Sequence, residues 1–315
     1  MKYNHWQTSD MVGKASAWAV TGLFTAVCLL ILLTVWMMGK GAISLDFLFT
    51  EPNPSVMNNE NAGGILTPLV GTLLLTCTGI LVAFPIALST ATYIAFYGKE
   101  GILTKSIELA IDVLSGVPTI VIALFSLAVF TNPMLVFLST PVQNNGAIME
   151  KAYGRSFLVA GVAMAIMILP FMVKAMTESL RTVPKTYMDG AIALGADKWR
   201  AICEVAYPAS RRGLISGTVL GMGRIMGDTA IVWLSLGGTL RMTGPQPWYQ
   251  PSHWLDTLRN TGSTLTSYIY YASPAGEGNN IDAAFGASLV LIIMIVVLNA
   301  VVAMLGNMKS EGGAS

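Results

Sequence analysis

Residues 181–213 read RTVPKTYMDGAIALGADKWRAICEVAYPASRRG and separate two strongly apolar runs of the chain. The segment carries signals for two short helices. Pro184 suits the start of a helix, and Gly195 suits its end. A second amphipathic stretch follows and is predicted to end at Pro208. The sequence therefore predicts a helix, a glycine turn and a second helix, which together form a rigid knob.

The composition around this knob is typical of a membrane protein. Hydrophobic residues make up 54% of the 315 residues, charged residues make up 11%, and the mean hydropathy is +0.63. A soluble domain usually contains about 25% charged residues. Since about 20 apolar residues span the hydrocarbon core, the apolar runs predict an all-α polytopic membrane protein with six transmembrane helices. The predicted spans are residues 15–38, 64–97, 106–130, 155–180, 213–238 and 283–306.

Lysine and arginine residues are unevenly shared between the two sets of loops. Most of them fall on the side that carries both termini and the 181–213 loop, which predicts that this side faces the cytoplasm. The first apolar run is too long for a signal peptide and is expected to be retained. The predicted organisation is an N-terminal helix with its external loop (1–62), a core (63–306) and a cytoplasmic tail (307–315).

Several kinds of site find no support in the sequence. Cys28, Cys77 and Cys203 have neither metal-ligand nor disulfide spacing, so no metal site is predicted. The formal net charge of +1 and the lack of a basic block give no reason to expect nucleic-acid binding. No G-x-x-x-x-G-K-[ST] motif occurs, so we expect no nucleotide cofactor in this chain and no ATP hydrolysis by a P-loop.

Two charged residues lie inside the fifth predicted span, in the stretch ISGTVLGMGRIMGDTAIVWLSLGG (Ile215–Gly238). A charge at the bilayer centre costs ~2.5–3.5 kcal/mol on insertion scales, and Arg224 is expected near the midplane. Asp228 is four residues further on, so in a continuous helix the two side chains would share one face and could pair. One interpretation is an ion pair that orients the helix. The other is an anion site built on the forked guanidinium, with Asp228 lowering the cost of inserting it.

Prolines inside the predicted spans indicate where helices bend. Pro85, Pro118 and Pro170 each remove a backbone donor and predict kinks. In SGVPT (115–119), Ser115 or Thr119 can satisfy the freed backbone groups. A simple kink and a broken helix whose N-terminus helps to bind an anion both fit this pattern.

Further polar residues in the spans also have two interpretations. Thr72, Thr76 and Thr78 suit either a polar path or hydrogen bonds within their own helix. Lys174 suits either a substrate contact or a cation that extends to the membrane surface. Glu178, four residues further on, is placed to pair with it, and an ordinary surface pair fits this spacing equally well.

The predicted outer loops, 39–63 and 239–282, are rich in proline, glycine, asparagine and aromatic residues. The second contains Trp248, Tyr249 and Trp254. These aromatic residues suit either a membrane-interface belt or a docking surface for an extracytoplasmic partner.

The 181–213 loop resembles the EAA loop of ABC-importer permeases, E-A-A-x3-G-x9-I-x-L-P. The matching positions are Asp189, Gly190, Ala191, Gly195 and Pro208. In that family the loop inserts into a cleft of the ATPase subunit and transmits its closure. The resemblance implies a separate ATPase partner that binds ATP and Mg, whereas an amphipathic connector on the membrane surface is the alternative.

Three further stretches are similar to the Pst-type phosphate permeases of that family. LGMGRIMGDTAIV resembles A-x-x-R-x-x-G-E-T-A, with Asp228 in place of Glu. LPFMVKAMTESLRTVP (169–184) and DVLSGVPTIVIALF (112–125) resemble two more family stretches, with Lys174 where Arg is usual. The similar stretches occur in the same order as in the family, from about residue 63 to 306. The chain resembles the PstA-type subunit more than its PstC-type partner.

This resemblance implies a type I importer permease that moves inorganic phosphate across the cytoplasmic (inner) membrane of a prokaryote. The implied partners are a PstC-type second permease subunit in a heterodimer, a dimer of PstB-type ATPase subunits, an extracytoplasmic phosphate-binding protein and membrane lipid. The residues expected along the substrate pathway are Arg224, Asp228, Lys174, Thr229, Ser115 and Thr119.

Three alternatives remain open at this point. An ABC permease for phosphonate, sulfate or molybdate shares every feature but the substrate. An ion-coupled carrier would use an intramembrane aspartate to take up protons, but it does not account for the knob. An intramembrane aspartyl protease would use Asp112 and Asp228, but its usual Gly-x-Gly-Asp is absent, because residue 225 is isoleucine.

Overall fold

The chain, seen in a computed structural model, is almost entirely helical, which confirms the predicted all-α class. The structure describes residues 3–53, 63–98, 101–139, 141–142, 151–152, 154–240, 242–244, 247–276 and 278–308. Within these ranges the only paired strands are β1 (Pro141–Val142) and β2 (Lys151–Ala152), which form an antiparallel pair. Most of the predicted tail, 309–315, lies outside the described residues, as does part of the first outer loop, 54–62.

Twelve α-helices follow one another in the described part of the chain. They are α1 (Tyr3–Gly39), α2 (Leu45–Phe49), α3 (Leu66–Thr92), α4 (Ile102–Ser115), α5 (Thr119–Phe130), α6 (Phe157–Arg181), α7 (Lys185–Ala193), α8 (Lys198–Ala201), α9 (Tyr207–Gly227), α10 (Trp254–Arg259), α11 (Leu265–Ala272) and α12 (Ile281–Met308). Wider π-helical turns occupy Tyr93–Tyr97, Ile202–Ala206 and Val232–Leu236, and 3₁₀ turns occupy Pro133–Leu138 and Pro251–His253.

Four described helices are long and apolar enough to cross a membrane: Asp10–Gly39, Leu66–Tyr97, Phe157–Arg181 and Ile281–Met304. They correspond to the first, second, fourth and sixth predicted spans. The broken pair α4 and α5 would make a fifth. The predicted span 213–238 is not one helix, because α9 ends at Gly227. The count of six spans therefore stays a prediction.

Helix α6 lies at the centre of the fold and packs against α3, α4, α5 and α9. Its inward-facing side chains, among them Met164, Ile168 and Met172, are fully buried. Gly161 allows α3 to approach closely, since a Cβ there would lie 2.8 Å from the Thr78 hydroxyl. By contrast, α1 packs mainly against α12 and exposes its apolar side chains, as suits a helix surrounded by lipid.

The prolines behave differently from one another. Helices α3 and α6 continue through Pro85 and Pro170. At Pro118 the chain breaks, and α4 and α5 meet at an angle of 102°. Gly116 ends α4, and the residue before a proline avoids the helical conformation, so this segment favours a break over a gentle kink. Ser115 donates a hydrogen bond to the Asp112 carbonyl at 2.7 Å and so satisfies one terminal carbonyl.

The threonines of α3 bond within their own helix. Thr72, Thr76 and Thr78 donate to the carbonyls of Pro68, Thr72 and Leu74 at 2.8, 2.7 and 2.9 Å. This supports the second of the two interpretations of these residues. Thr72 has one further role, because its hydroxyl accepts a hydrogen bond from the backbone N–H of Leu265 at 2.9 Å.

Thr72→Val is expected to destabilise the fold, because the buried N–H of Leu265 loses its acceptor. A buried donor without a partner costs about 1–3 kcal/mol. Thr76→Val is the matched control, since the Thr76 hydroxyl is equally buried and bonds only its own helix. Thermal unfolding of the purified protein in detergent would measure both changes. Equal losses would contradict a special role for Thr72.

Candidate functional site

The predicted knob is present in the structure. Pro184 is the N-cap of α7, which ends at Ala193 with Leu194 as its C-cap. Gly195 follows with φ +94°, a left-handed conformation that glycine adopts without strain. Here the N–H of Gly195 donates to the Ile192 carbonyl at 2.9 Å, and that of Ala196 donates to the Ala191 carbonyl at 3.1 Å. These hydrogen bonds close the turn and orient α8 against α7.

The prediction that the second helix ends at Pro208 is wrong. The chain stays helical from Lys198 through α8, the π-helical turn and α9 as far as Gly227. The wider turn explains how the helix tolerates the proline. The backbone N–H of Tyr207 donates a hydrogen bond to the Ile202 carbonyl across this turn. Pro208 follows among the first residues of α9 and does not interrupt that hydrogen bond.

The knob has a packed base and an exposed apolar outer surface. Met188, Ala201, Ile202 and Ala206 are buried in a small cluster beneath it. On the outside, Tyr187 is 57% exposed and Leu194 is 92% exposed. Of the residues predicted for ATPase coupling, Asp189, Gly190, Gly195 and Pro208 are exposed, and Ala191 is half-buried. An apolar projection of this kind is suited to contact with another protein.

Arg224 lies in a cavity of about 740 Å³ between α6, α9 and α12. Its guanidinium carbon is 4.2 Å from the centre of the Phe171 ring. Within the described residues it forms no salt bridge. A guanidinium placed over an aromatic ring is attracted to the ring face, and this contact uses none of its N–H donors, so they can still meet an oxyanion. The arrangement suits an anion site better than a fixed ion pair.

The predicted shared face of Arg224 and Asp228 is wrong. Helix α9 ends at Gly227, and Asp228 is extended, with φ −79° and ψ 137°. Its carboxylate accepts a hydrogen bond from the Ile231 N–H at 2.8 Å and so caps the next helical segment. Aspartate is a favoured N-cap residue, so it favours the start of a new helical segment at this position. This preference outweighs the continuous apolar pattern from which one long span was predicted. The backbone carbonyl of Asp228 also accepts a hydrogen bond from the Thr266 hydroxyl at 3.2 Å.

Both broken helices contribute to a second cavity of about 790 Å³. Ile120 from the first turn of α5 and Thr229 from the break after α9 line it together. Aromatic side chains complete the wall, with Trp233 packed edge-on against Tyr270 at 5.0 Å. Thr119 is the first residue of α5. Thr229 therefore does not share a cavity with Arg224, although only a few residues separate them in the chain.

Lys174 pairs with a residue of another helix. Its Nζ lies 2.7 Å from Oδ1 of Asp112 on α4, whereas Glu178 is the residue that the spacing within α6 made available as a partner. One turn away along α4, Glu108 lies 3.4 Å from Arg181 of α6. The helix break at Pro118 explains this result, since it sets α4 alongside the end of α6. Three of the six predicted pathway residues, Arg224, Thr229 and Lys174, therefore line three different cavities rather than one.

Several residues of these sites were not singled out from the sequence. The Phe171 ring lies against the guanidinium of Arg224, and Asn299 lines the same cavity with a buried Oδ1 that has no partner among the described residues. An asparagine within the apolar α12 is a signal that could have identified this position. Nothing in the sequence indicates the Phe171 contact, because it depends on the packing of α6 against α9.

The aromatic residues of the second outer loop contact one another and are partly exposed. Trp254 donates to the Tyr249 carbonyl at 3.1 Å, and the rings of Trp248 and Tyr249 meet edge-on at 5.8 Å. Tyr249 and Trp254 are exposed. Together with Leu74 and Leu81 of α3, the loop borders an apolar cavity of about 730 Å³. Both predicted uses of this loop fit the geometry.

A solved structure shares the arrangement of helices. A bacterial ABC transporter involved in the import of the acidic polysaccharide alginate superposes with a TM-score of 0.56 and 16% sequence identity, over 99% of this chain and 97% of that chain. At this identity the likeness shows the fold alone, which is that of an ABC type I importer permease.

Sequence relatives extend over most of the chain. The phosphate transport system permease protein PstA 1 of Mycobacterium tuberculosis is 28% identical over 293 residues, 91% of this chain and 87% of the relative. The phosphate transport system permease protein PstC of Xylella fastidiosa is 32% identical over 218 residues, 65% of each chain. Residues 83–308 match the family described as binding-protein-dependent transport system inner membrane component. The chain belongs to this family of ABC importer permeases.

Proposed function

We propose that this chain is a permease subunit of an ATP-driven importer that moves inorganic phosphate across the cytoplasmic membrane. The knob carries this proposal, because its apolar outer surface is exposed and its second helix runs directly into α9. A projection of this kind can transmit a conformational change of a bound partner protein to the membrane-spanning helices. The PstA and PstC names of the relatives support phosphate as the substrate.

The ATPase belongs to separate subunits in this proposal. The sequence contains no P-loop, so a PstB-type dimer binds ATP and Mg and contacts the knob. A PstC-type chain supplies the second half of the pathway. A phosphate-binding protein docks on the outer loops, where Tyr249 and Trp254 are exposed. The knob and both termini then face the cytoplasm, as the distribution of lysine and arginine favours.

Arg224 provides the central contact with the anion. Its guanidinium is held against Phe171, so its donors keep one orientation. Helix α9 carries both Arg224 and, at its other end, the connection to the knob. Closure of the ATPase dimer would shift α9, and this shift would open the anion site to one side of the membrane or the other.

The wild-type complex, reconstituted with its partner subunits in liposomes, is expected to take up ³²P-phosphate only when ATP and the binding protein are both present. Sulfate, molybdate and phosphonate should compete poorly. Uptake of sulfate without uptake of phosphate would identify the other-oxyanion permease instead. Uptake driven by an ion gradient without ATP would favour an ion-coupled carrier. A non-hydrolysable ATP analogue is the matched control.

A further inference from the structure

Helix α3 meets the knob at its C-terminal end, where the π-helical turn Tyr93–Tyr97 continues it. Lys198, the first residue of α8, donates a hydrogen bond from its ammonium to the Phe96 carbonyl at 2.5 Å. The same ammonium lies 4.5 Å from the centre of the Tyr97 ring. A cation at this position is attracted both by the carbonyls at the end of the helix and by the aromatic face. Lys198 therefore joins the knob to the end of α3.

Tyr207 makes a second contact between the knob and α3. Its hydroxyl lies 3.0 Å from the hydroxyl of Thr92, which is buried. The Thr92 hydroxyl already donates to the Leu88 carbonyl at 2.7 Å, so Tyr207 is the donor between the two hydroxyls. The family pattern E-A-A-x3-G-x9-I-x-L-P has leucine at this position, which cannot form such a hydrogen bond. This contact is thus a feature of the present chain rather than of the family pattern.

Two π-helical turns meet at this junction. Thr92 directly precedes the turn Tyr93–Tyr97, and Tyr207 directly follows the turn Ile202–Ala206. Phe96 of the first turn packs against the buried cluster beneath the knob, which includes both ends of the second turn. Turns of this kind are rare and frequently lie at functional sites. The junction therefore contains a specific contact between two unusual segments.

The other end of α3 is bound to the second outer loop. Thr72 accepts a hydrogen bond from the backbone N–H of Leu265 at 2.9 Å. Leu74 and Leu81 border the apolar cavity beneath the exposed aromatic residues of that loop. Between Thr72 and the buried Thr92, α3 is unbroken and rises by about 30 Å. One continuous helix therefore connects the outer loop with the knob.

We propose that Tyr207 and Lys198 are positioning residues that let α3 transmit the docking of the binding protein to the knob. The inference rests on the import function proposed above, in which the binding protein docks on the outer loops and the ATPase contacts the knob. Docking shifts the outer end of α3, and the two contacts pass this shift to the knob. Helix α9 is less suited to this role, because it is interrupted after Gly227, before the outer loop begins.

A direct contact with the ATPase is a less suitable role for Lys198. Its ammonium already donates to a carbonyl and lies over an aromatic ring, both within this chain. In contrast, the exposed side chains of Tyr187 and Leu194 form the apolar outer surface of the knob. We therefore assign the outer surface to the ATPase and Lys198 to α3.

The test is the ATPase activity of the complete importer in lipid nanodiscs, expressed as the ratio of the activity with phosphate-loaded binding protein to the activity without it. Tyr207→Phe removes one hydroxyl, and Lys198→Met removes the ammonium and keeps most of the stem. Each is expected to lower the ratio about threefold, and both together about tenfold, because the loss of one hydrogen bond changes an equilibrium by a factor of about 2–10.

Three further variants make this result specific. Thr92→Val removes the same hydrogen bond as Tyr207→Phe, so the two together should lower the ratio no further than Tyr207→Phe alone. Lys198→Arg keeps a cation that can donate to the carbonyl and should retain the wild-type ratio. Arg200→Gln removes a neighbouring cation whose salt bridge, to Glu204 at 2.9 Å, lies within the knob, and it should change nothing. Loss of the ATPase subunits from purified Lys198→Met would show an ATPase contact and overturn the role of Lys198.

A distance measurement separates transmission from stability. Spin labels on Ser89 of α3 and Ala193 of α7, both exposed, are introduced into a background without the three native cysteines. With wild-type contacts the distance between the labels should be the same with and without ATP, because α3 and the knob move together. With Tyr207→Phe and Lys198→Met it should change. A distance that changes with the contacts intact, or variants whose ratios all equal that of wild type, would overturn the proposal.

The uptake assay shows separately whether the proposed function holds. If the wild-type complex imports another oxyanion, the phosphate function fails, and the same ratios, measured with the binding protein for that oxyanion, still decide the role of α3. If phosphate uptake is normal and every variant has the wild-type ratio, only the role of α3 fails.

Discussion

Replacing Arg224 with glutamine is expected to lower phosphate uptake roughly a hundredfold, because two charge-assisted hydrogen bonds to the anion, each worth about 1.5–3 kcal/mol, would be lost. The side chain forms no salt bridge within the described residues and rests on Phe171. Removing it should therefore leave the packing of α6 and α9 intact. The measurement is ³²P-phosphate uptake into liposomes, with co-purification of the ATPase subunits checked in parallel.

Two companion variants make this result specific. Arg224→Lys keeps the positive charge but loses the paired N–H donors of the guanidinium, so uptake should fall to an intermediate level. Phe171→Leu keeps the donors and removes the ring that orients them, so a smaller loss is expected. Normal uptake by Arg224→Gln, with the complex assembled, would remove Arg224 from the mechanism.

Replacing Gly195 with valine is expected to uncouple ATP hydrolysis from transport. The backbone at this position has φ +94°, which a β-branched residue adopts only under strain of about 1–3 kcal/mol. No atom lies within 4 Å of the position of an added Cβ, so the effect would come from the backbone rather than from a clash. The turn between α7 and α8 should relax, and transport per ATP hydrolysed should fall about tenfold or more.

Two further variants, Gly195→Asn and Gly41→Ala, separate the effect of backbone strain from the effect of adding a side chain. Gly195→Asn adds a side chain that tolerates the left-handed region, so it should retain more coupling than valine. Gly41→Ala also adds a Cβ with no atom within 4 Å, at a position without positive φ, and should behave as wild type. Unchanged binding-protein-stimulated ATPase activity and uptake in Gly195→Val would contradict the role of the knob.

The sequence predicts the long apolar helices and the knob well, because each depends on local signals. The continuous apolar runs of α3, α6 and α12 can be identified in the sequence without knowing which helices they pack against. The knob depends on Pro184 and Gly195, whose backbone preferences are nearly independent of context. Their positions in the structure match the expectation.

The errors occur where one local signal overrides another or where distant segments meet. At Asp228 the capping preference of aspartate overrides the apolar run, so the expected shared face with Arg224 is lost. The partner of Lys174 could not be predicted, because Asp112 reaches it only through the 102° bend between α4 and α5. Such an angle depends on the packing of the whole molecule.

The unbroken helix from Lys198 to Gly227 places a strict requirement on chain length. Each residue of an α-helix turns the chain by about 100° and advances it by 1.5 Å. A single residue inserted or deleted between the knob and Arg224 would swing the guanidinium away from Phe171, even if every other residue were kept. Length variation among functional variants of this protein should therefore occur in the outer loops and be excluded from this segment.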